Sequence, residues 1–419
     1  MRQLKAFKYR IYPTIEQQMQ LAKIFGCKRV IYNHYLSEQQ TRFKNKEKHL
    51  SNFDINKDIT RLKKEKDWLK EADSIALQMA AEDLSVAYEN FFNSIKGKRK
   101  GPKVETPRFK SKYTRQSYRT RGVKIGVNEL ILPKIKSIIA VIHRAIPPNS
   151  KIKSTTISKN TDGRYYASVL VEVEESLQPM TGKEVGCDVG LKDLLITSDG
   201  VKFARPNNLK YIAKTKQLLK IKQKQFARTN KSSKNHEKAR LQVAKVYSKI
   251  TRQRNDYYHN VSKFLVNNYD AIYVEDLSPK NMLQNRKLSR AIHEVAWSTL
   301  TNMIAYKSNW AGKTYHRIDK FYPSSKTCSS CGHKLEQLNL STRDWQCPIC
   351  DEVHNRDHNA AKNILYRGQI DCYGTSQAIG EVGEIPVALQ KMASKIERSD
   401  VKISVSHGSE QAARSLVVQ

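Results

Sequence analysis

The chain has 419 residues, a length that allows two or three domains, and it carries 75 lysines and arginines against 40 aspartates and glutamates. The resulting formal net charge of +35 at pH 7 would oppose compaction unless a polyanion neutralised it, so nucleic acid is the expected partner. The sequence has no apolar run of about 18 residues, no lipidation motif and no signal peptide, so we expect a cytoplasmic protein that does not bind membranes.

The N-terminal segment combines a strand pattern with a helical one. Residues 1–12 alternate apolar and basic side chains, which predicts a β-strand. Thr14 and Gln17 have the spacing of a capping box, a motif that opens a helix. From Ile15 to about Ser94, apolar residues recur at helical spacing, and we interpret most of them as core positions.

A strongly basic stretch follows, from Lys96 to Lys124. It contains twelve lysines or arginines and one acid, Glu105, and three aromatic side chains are interleaved with them. This composition suits contact with phosphates combined with stacking on bases or sugars. A flexible, solvated linker would have the same composition, so the stretch by itself leaves both interpretations open.

Strand patterns return over residues 123–173. They include the segments VKIGV, ELILPKI, IAVIH and YYASVLVEVE, and Asp162-Gly163 is a typical hairpin turn before the last of these. We predict that the N-terminal strand joins these strands in a small β-barrel, which the helical segment interrupts.

The pattern changes near Thr181. Strand, turn, strand, turn and strand follow one another, and Asp199-Gly200 indicates a hairpin. Asp188 ends the apolar run 185–187, so its carboxylate is expected on a buried central strand. Because a buried carboxylate is costly unless it is paired or binds a metal, this position favours a functional role.

A long helical region covers residues 207–267, with a polar break at residues 229–235. Between Arg205 and Arg254 there are sixteen lysines or arginines and one acid, Glu237. We predict a helical hairpin with a cationic face suited to the backbone of a duplex. A solvated coiled-coil hairpin is less favoured, because almost no opposite charge offsets the repulsion.

A second buried-strand pattern, DAIYVEDL at residues 270–277, ends in Glu275 and Asp276. Glu275 is therefore another carboxylate expected at a strand end. Beyond it, the sequence predicts one helix over Leu288–Trp310 and a further strand over Thr314–Ile318.

Four cysteines then follow with the spacing C-x2-C-x15-C-x2-C: Cys328, Cys331, Cys347 and Cys350. This spacing is typical of structural zinc sites, in which four thiolates leave no open coordination position. The zinc is therefore expected to stabilise a fold and not to take part in catalysis. A disulfide framework is the alternative, but nothing in the sequence suggests secretion.

The third candidate carboxylate is Asp357, at the polar start of a helix predicted in HNRDHNAAKNIL. Alone, an acid at this position would be an ordinary cap that the helix dipole stabilises. Three carboxylates brought together repel one another, and Mg2+ relieves this because it prefers hard oxygen ligands. Asp188, Glu275 and Asp357 therefore predict a site for two Mg2+ ions ~4 Å apart, which would align the water and the leaving oxygen of a phosphodiester. An RNase H-like nuclease core needs this geometry.

Several segments together carry a family resemblance: GCDVGLKDLLITSDG, IYVEDLS, YPSSKTCSSCG, CPIC and NRDHNAAKNIL. Their order and separation resemble the RuvC and zinc-ribbon blocks of TnpB, a family of transposon-encoded RNA-guided DNA nucleases regarded as ancestral to type V CRISPR effectors. RIYPTIEQQ and GCKRVIYNHYL extend the resemblance over residues 1 to about 370. The sequence departs from the family at Asn355, where Asp is more frequent, and at Cys187, where a branched aliphatic residue is usual.

The resemblance implies a multidomain α/β fold. It would comprise an RNase H-like (RuvC) core with an inserted four-cysteine zinc ribbon, and an N-terminal β-barrel (wedge) interrupted by a helical recognition insertion. The implied boundaries are residues 1–14 and 96–178 for the wedge, 15–95 for the recognition insertion, 179–321 and 355–370 for the RuvC core, 322–354 for the zinc ribbon and 371–419 for a variable, flexible tail.

The resemblance also implies a function: cleavage of double-stranded DNA that is complementary to a transposon-derived guide RNA and adjacent to a short target motif. Asp188, Glu275 and Asp357 would be the catalytic Mg2+ ligands, and the four cysteines would bind one structural zinc. The expected protein is prokaryotic, nucleoid-associated and monomeric with one guide RNA. Inactivated relatives that act as RNA-guided repressors lose one or more of these carboxylates, so the intact set favours an active nuclease. The alternatives are such a non-cleaving regulator, a transposition accessory protein, or a strand-transferring transposase.

Overall fold

The computed structural model describes residues 2–99, 101–113, 115–174, 177–277, 282, 284, 286–339 and 341–374, and for residues 286–288 it describes the backbone alone. The chain forms two compact units, Met1–Glu175 and Ser176–Gln419. None of the described helices is both long and apolar enough to cross a membrane. The tail predicted over residues 371–419 lies outside the described residues from residue 375 onward.

The first unit begins with a strand followed by helices, as the sequence pattern predicts. These elements are β1 (Arg2–Tyr12), α1 (Ile15–Lys44), α2 (Asn52–Glu65) and α3 (Ser74–Ile95). The capping box that opens α1 is confirmed: the Thr14 hydroxyl accepts from the Gln17 backbone N–H, and the Gln17 side chain accepts from the Thr14 N–H. These two bonds satisfy donors that a helix start otherwise leaves unpaired.

A seven-stranded antiparallel sheet completes the first unit. Its other strands are β2 (Gln116–Thr120), β3 (Lys124–Ile125), β4 (Glu129–Leu132), β5 (Lys136–Val141), β6 (Lys151–Lys159) and β7 (Tyr165–Glu174). The strand order is β2-β6-β7-β1-β5-β4-β3, so the N-terminal strand joins this sheet, as predicted. Closure into a barrel stays a prediction, because the hydrogen-bonded pairs of the described residues form one row from β2 to β3.

Strand β2 lies inside the basic stretch, where the sequence predicts no strand. It pairs with β6 and buries Tyr118, whose ring centroid is 5.8 Å from that of Phe25 in α1. The sequence pattern does not indicate this strand, because the segment is short, has few apolar positions and is flanked by basic residues. Its burial depends on a partner strand more than thirty residues away.

The middle of the basic stretch is held against α1. The Asn33 side-chain amide donates to the Lys110 carbonyl oxygen at 2.9 Å, and its oxygen accepts from the Lys110 N–H at 2.8 Å. The Lys110 ammonium group lies 3.6 Å from the centroid of the Tyr32 ring. A fully flexible linker is therefore wrong for this part of the stretch.

The second unit is built on a five-stranded sheet with the order β10-β9-β8-β11-β12. Its strands are β8 (Glu184–Asp188), β9 (Asp193–Thr197), β10 (Lys202–Ala204), β11 (Ala271–Glu275) and β12 (Thr314–Ile318). Strand β9 runs antiparallel to both of its neighbours, β8 and β10, whereas β8, β11 and β12 run parallel. The central strand is β8, and its residues 185–187 are buried, as predicted for the strand that ends at Asp188.

The helices of the second unit are α4 (Lys210–Ala227), α5 (Lys234–Asn268), α6 (Arg286–Val295), α7 (Trp297–Ala311) and α8 (Arg356–Tyr373). The basic hairpin is confirmed, but its break covers residues 228–233, because the Ser233 hydroxyl caps α5 by accepting from the His236 N–H. The single helix predicted over Leu288–Trp310 is wrong. Helices α6 and α7 are separated at Ala296, whose φ of +47° is left-handed.

Helix α8 lies very close to the central strand. A Cβ atom at position 186 would be 2.1 Å from the Ala361 carbonyl oxygen, so only Gly186 permits this approach. Because β8 ends at Asp188 and α8 carries Asp357 in its first turn, the contact brings two of the predicted site residues onto neighbouring elements.

Candidate functional site

Four cysteine side chains converge in the second unit: Cys328, Cys331, Cys347 and Cys350. Their Sγ atoms all lie within 4.8 Å of one another. The Cys328–Cys350 and Cys331–Cys347 Sγ pairs are 3.6 and 3.5 Å apart, near the ~3.8 Å expected for thiolates sharing a tetrahedral zinc with bonds of about 2.3 Å. The four residues that the sequence predicted are thus brought together and can hold a structural metal, consistent with zinc.

The pKa values of two of these cysteines indicate that metal binding requires the loss of protons. Burial and hydrogen bonding to Cys350 raise the pKa of Cys331 to about 12. Although burial opposes it, the backbone N–H groups of Ile349 and Cys350 lower the pKa of Cys347 to about 7. A cation bound here would therefore displace protons, as metal binding to thiolates requires.

Two short strands frame the cysteines: β13 (Asp344–Gln346) and β14 (Val353–Asn355), which pair with each other. Each cysteine pair also has its own tight turn. The Cys328 N–H donates to the His333 carbonyl oxygen at 2.8 Å, and the Cys347 N–H donates to the Glu352 carbonyl oxygen at 2.9 Å. These turns direct the side chains of both cysteine pairs toward the same point.

The three candidate carboxylates lie at one end of the strands of the five-stranded sheet. Asp188 ends β8 and Glu275 ends β11, and because these strands are parallel and adjacent, both side chains lie at the same end. Asp357 lies in the first turn of α8, which packs on β8. Asn355 caps that helix by accepting from the His358 N–H at 3.3 Å.

Burial and neighbouring charge weaken the acidity of two of the carboxylates. Burial, followed by the negative charges of Asp357 and Glu275, raises the pKa of Asp188 to about 7. Burial alone raises the pKa of Glu275 to about 7. Among the described residues, the three carboxylates are not gathered as tightly as the four cysteines.

Asp357 has a cationic partner that the sequence pattern did not indicate. The Arg343 Nη1 atom lies 3.1 Å from each of the two Asp357 carboxylate oxygens. Arg343 also lowers the pKa of Asp188, although burial and the two neighbouring acids outweigh it. It precedes β13, within the spacer between the two cysteine pairs, and only the folding of that spacer brings it to the carboxylates.

These raised pKa values predict how the stability of the metal-free protein depends on pH. From about pH 4 to about pH 7 the unfolded chain releases protons that folded Asp188 and Glu275 retain, so the free energy of unfolding falls as pH rises through this window. We expect a lower melting temperature at about pH 8 than at about pH 5.5 in Mg2+-free buffer.

The matched variant for this measurement is Asp188→Asn, which removes one of the two titrations. Its melting temperature should depend less on pH than that of the wild-type protein. Equal pH dependence in the two proteins would contradict the assigned proton retention. No chelator is added, so the four-cysteine site is left undisturbed.

Family models match three parts of the chain. One described as a probable transposase (OrfB, IS605 type) covers residues 168–286, and one described as the TNB domain of Cas12f1-like proteins covers residues 297–364. A third, described as a helix-turn-helix domain, covers residues 1–48. Here these residues contain β1 and the single 30-residue helix α1, so the description does not fit their structure.

Relatives match the chain over almost its whole length. It is 34% identical over 414 residues to a candidate RNA-guided DNA endonuclease of Streptomyces pristinaespiralis. This alignment covers 96% of each chain. It is 28% identical over 390 residues to InsQ, a candidate RNA-guided DNA endonuclease of Escherichia coli (strain K12), which covers 88% of this chain and 93% of InsQ.

A solved structure shares the fold. The cryo-EM structure of a Cas12f1–sgRNA–target DNA complex contains a chain that matches with a TM-score of 0.54 and 12% sequence identity. The match covers 87% of this chain and 99% of that one. At such low identity, the similarity establishes a common architecture.

Proposed function

The chain belongs to the TnpB family of IS605-type transposon proteins, and from that membership we propose that it is an RNA-guided, Mg2+-dependent DNA endonuclease. Its substrate would be double-stranded DNA that is complementary to a transposon-derived guide RNA and lies beside a short target-adjacent motif. The protein would act as a monomer with one guide RNA. The names of both relatives and the Cas12f1-like fold support this proposal.

The observation that carries the proposal is the electrostatic contact among Asp188, Glu275 and Asp357. Asp188 is buried beside the other two acids, which raise its pKa, and such an arrangement destabilises the protein unless a function compensates. The strand order, with β8 between an antiparallel pair and a parallel pair, supports an RNase H-like (RuvC) core around them.

In the proposed mechanism, the three carboxylates would hold two Mg2+ ions, which would polarise the scissile phosphate and activate the attacking water. Asp188 and Glu275 must release the protons that they retain near pH 7, so cleavage should increase as pH rises through that value. Arg343 must exchange its contact with Asp357 for another anion, and its guanidinium group can then bind a phosphate oxygen of the substrate.

The α4–α5 hairpin is the proposed surface for the nucleic-acid backbone. Helix α4 carries six lysines and no acid, and several of its apolar side chains are exposed or half-buried. In α5, Glu237 forms an ion pair with Arg240, and the shortest distance between the two side chains is 2.5 Å. Lys216 is paired with Glu294 at 2.9 Å, whereas the exposed Lys220 and Lys224 of α4 can contact phosphates.

We expect the affinity for guide RNA to fall steeply with salt. If the basic stretch and the hairpin neutralise roughly 6–10 phosphates, affinity should decrease by about 10³–10⁵ between about 50 and 200 mM salt, because bound counterions are released on association. Replacing both Lys220 and Lys224 by alanine should reduce the slope of log affinity against log salt by about 2.

The control is Lys70→Ala, because the Lys70 ammonium group is paired with Asp67 at 2.5 Å in the first unit. It should leave the slope unchanged. A flat salt dependence in the wild-type protein would contradict the electrostatic role of both basic segments. Fluorescence anisotropy with the copurified RNA, titrated at several salt concentrations, provides the measurement.

The proposed function is tested by purifying the protein with its RNA, sequencing that RNA and supplying a matched DNA duplex. Cleavage in Mg2+, abolished by EDTA and absent with an unmatched guide, is the expected result. Guide-dependent binding without cleavage would instead favour the non-cleaving regulator. The absence of any bound RNA would contradict RNA guidance itself.

A further inference from the structure

Two buried asparagines on α8 bind the segment that carries the first cysteine pair. This segment, residues 324–331, is called the first knuckle below. The Asn359 amide donates to the Thr327 carbonyl oxygen at 2.7 Å, and its side-chain oxygen accepts from the Ser329 N–H at 2.9 Å. Asn359 is only 2% exposed. Both of its polar atoms are thus used to hold backbone on either side of Cys328.

Asn363 lies one helical turn further along α8 and is 4% exposed. Its amide donates to the Ser324 carbonyl oxygen at 2.8 Å and to the Thr327 carbonyl oxygen at 2.6 Å. Residues four positions apart share one helix face, so the two asparagines form a continuous row against the first knuckle. Removing Asn359 would take the acceptor from the Ser329 N–H, and removing Asn363 would take the side-chain donor from the Ser324 carbonyl oxygen. Leaving a buried polar group unpaired costs more than the bond itself is worth.

A third contact connects the first knuckle to the start of α8. The Nε2 atom of His354 lies 2.9 Å from Cys328 Sγ, and the His354 ring packs on Trp345 with the centroids 4.8 Å apart. His354 belongs to β14, which leads directly into α8. Hydrogen bonds to the metal-ligating side chains orient them and tune the metal, and their loss typically weakens metal binding by about 10–100-fold.

The opposite side of α8 is fixed as well. Ala361 contacts Gly186 of β8, two residues before Asp188, at a distance that allows no side chain. Helix α8 therefore lies between two fixed surfaces, with the first knuckle on one side and the central strand on the other. Asp357, in the first turn of α8, has its position set by both contacts.

We propose that the first knuckle is a positioning device for Asp357, with Asn359 and Asn363 as the positioning residues that couple the four-cysteine site to the three-carboxylate site. This proposal rests on the proposed function, because it takes the carboxylates to be the Mg2+ site. Its consequence is reciprocal: if a bound zinc favours the geometry that binds Mg2+, then Mg2+ must favour retention of zinc to the same extent.

The decisive measurement is the rate at which zinc passes from the RNA-bound protein to the chromophoric chelator 4-(2-pyridylazo)resorcinol. In the wild-type protein, Mg2+ should slow this transfer by roughly five-fold or more, the lower range of typical coupling between two sites. In Asn359→Ala, zinc release without Mg2+ should be about 10–100-fold faster. Mg2+ should then have little effect on the rate, because the connection is lost.

Two variants serve as controls. Lys362→Ala removes an exposed side chain from the same helix and should behave as the wild-type protein. Asp188→Ala removes a proposed Mg2+ ligand without touching the first knuckle, so Mg2+ should no longer slow zinc release. In cleavage assays with zinc retained, Asn359→Ala should raise the half-saturating Mg2+ concentration more than it lowers the maximal rate.

The outcomes separate this proposal from the proposed function. Wild-type protein that cleaves DNA but releases zinc at the same rate with and without Mg2+ would overturn the coupling. Zinc release in Asn359→Ala equal to that of the wild-type protein would overturn it too. Slower zinc release in Mg2+ without any DNA cleavage would support the coupling and contradict the nuclease. The wild-type comparison needs no variant, so it decides the question even if Asn359→Ala does not fold.

Discussion

Replacing Asp188 by asparagine should reduce Mg2+-dependent cleavage of a guide-matched duplex by about three orders of magnitude or more, while binding of guide RNA and target DNA is retained. Asparagine has nearly the same shape but lacks the negative charge with which a carboxylate stabilises bound Mg2+. Glu275→Gln and Asp357→Asn should cause comparable losses. A double variant should lose little more than a single one, because ligands of one metal site do not act additively.

The same substitution should stabilise the metal-free protein near neutral and basic pH. Burial and two neighbouring acids raise the pKa of Asp188, so its ionised form is unfavourable in the folded state until a cation binds. A variant that is more stable yet inactive would separate a metal-binding role from a structural one. Melting temperature in Mg2+-free buffer and single-turnover cleavage are the two measurements.

A matched control is Asp67→Asn in the first unit, which removes one charge from a side chain that is 81% exposed. It should change neither cleavage nor melting. Near-normal cleavage by Asp188→Asn would refute the carboxylate site. Loss of RNA binding together with cleavage would indicate that the substitution damaged the fold.

Cys347→Ser should abolish zinc binding and unfold residues 322–354, while the first unit stays folded. Structural zinc sites of this kind contribute about 10–16 kcal/mol of apparent binding energy at pH 7, and that energy is needed to fold a segment whose own apolar cluster is small. Cys328, Trp345 and Cys347 are the buried members of that cluster. Without the metal, few contacts remain to hold the segment together.

The control is Cys372→Ser, which replaces an exposed cysteine outside the four-cysteine cluster. It should retain one zinc per chain and the wild-type melting profile. Zinc content by mass spectrometry of metals and limited proteolysis between residues 322 and 354 would measure both effects. Unchanged zinc content and unchanged melting in Cys347→Ser would contradict the zinc assignment.

Patterns that are local in sequence proved sufficient for much of this protein. The alternation of residues 1–12, the capping box at Thr14, the hairpin turn at Asp199-Gly200 and the spacing of the four cysteines each concern a short segment. In each, the physical cause of the structure is contained in neighbouring residues: side-chain periodicity, an unpaired helix donor, a turn residue or a metal. Net charge likewise requires no fold to predict a polyanion as partner.

The sequence was less informative where distant segments meet. A continuous helical pattern over Leu288–Trp310 conceals the break at Ala296, where the Tyr258 hydroxyl of α5 binds the carbonyl oxygen of Val295. Strand β2 is stabilised by β6 and by α1, and neither contact can be recognised from the five residues of the strand alone.

The candidate site shows the same division. The residue pattern and the family resemblance named Asp188, Glu275 and Asp357, but only the parallel pairing of β8 with β11 and the approach of α8 to Gly186 bring them within electrostatic range. Arg343 at Asp357 could not be anticipated, because it arises from the path of the spacer between the cysteines. Burial and repulsion depend on which surfaces meet, and that is decided by long-range packing.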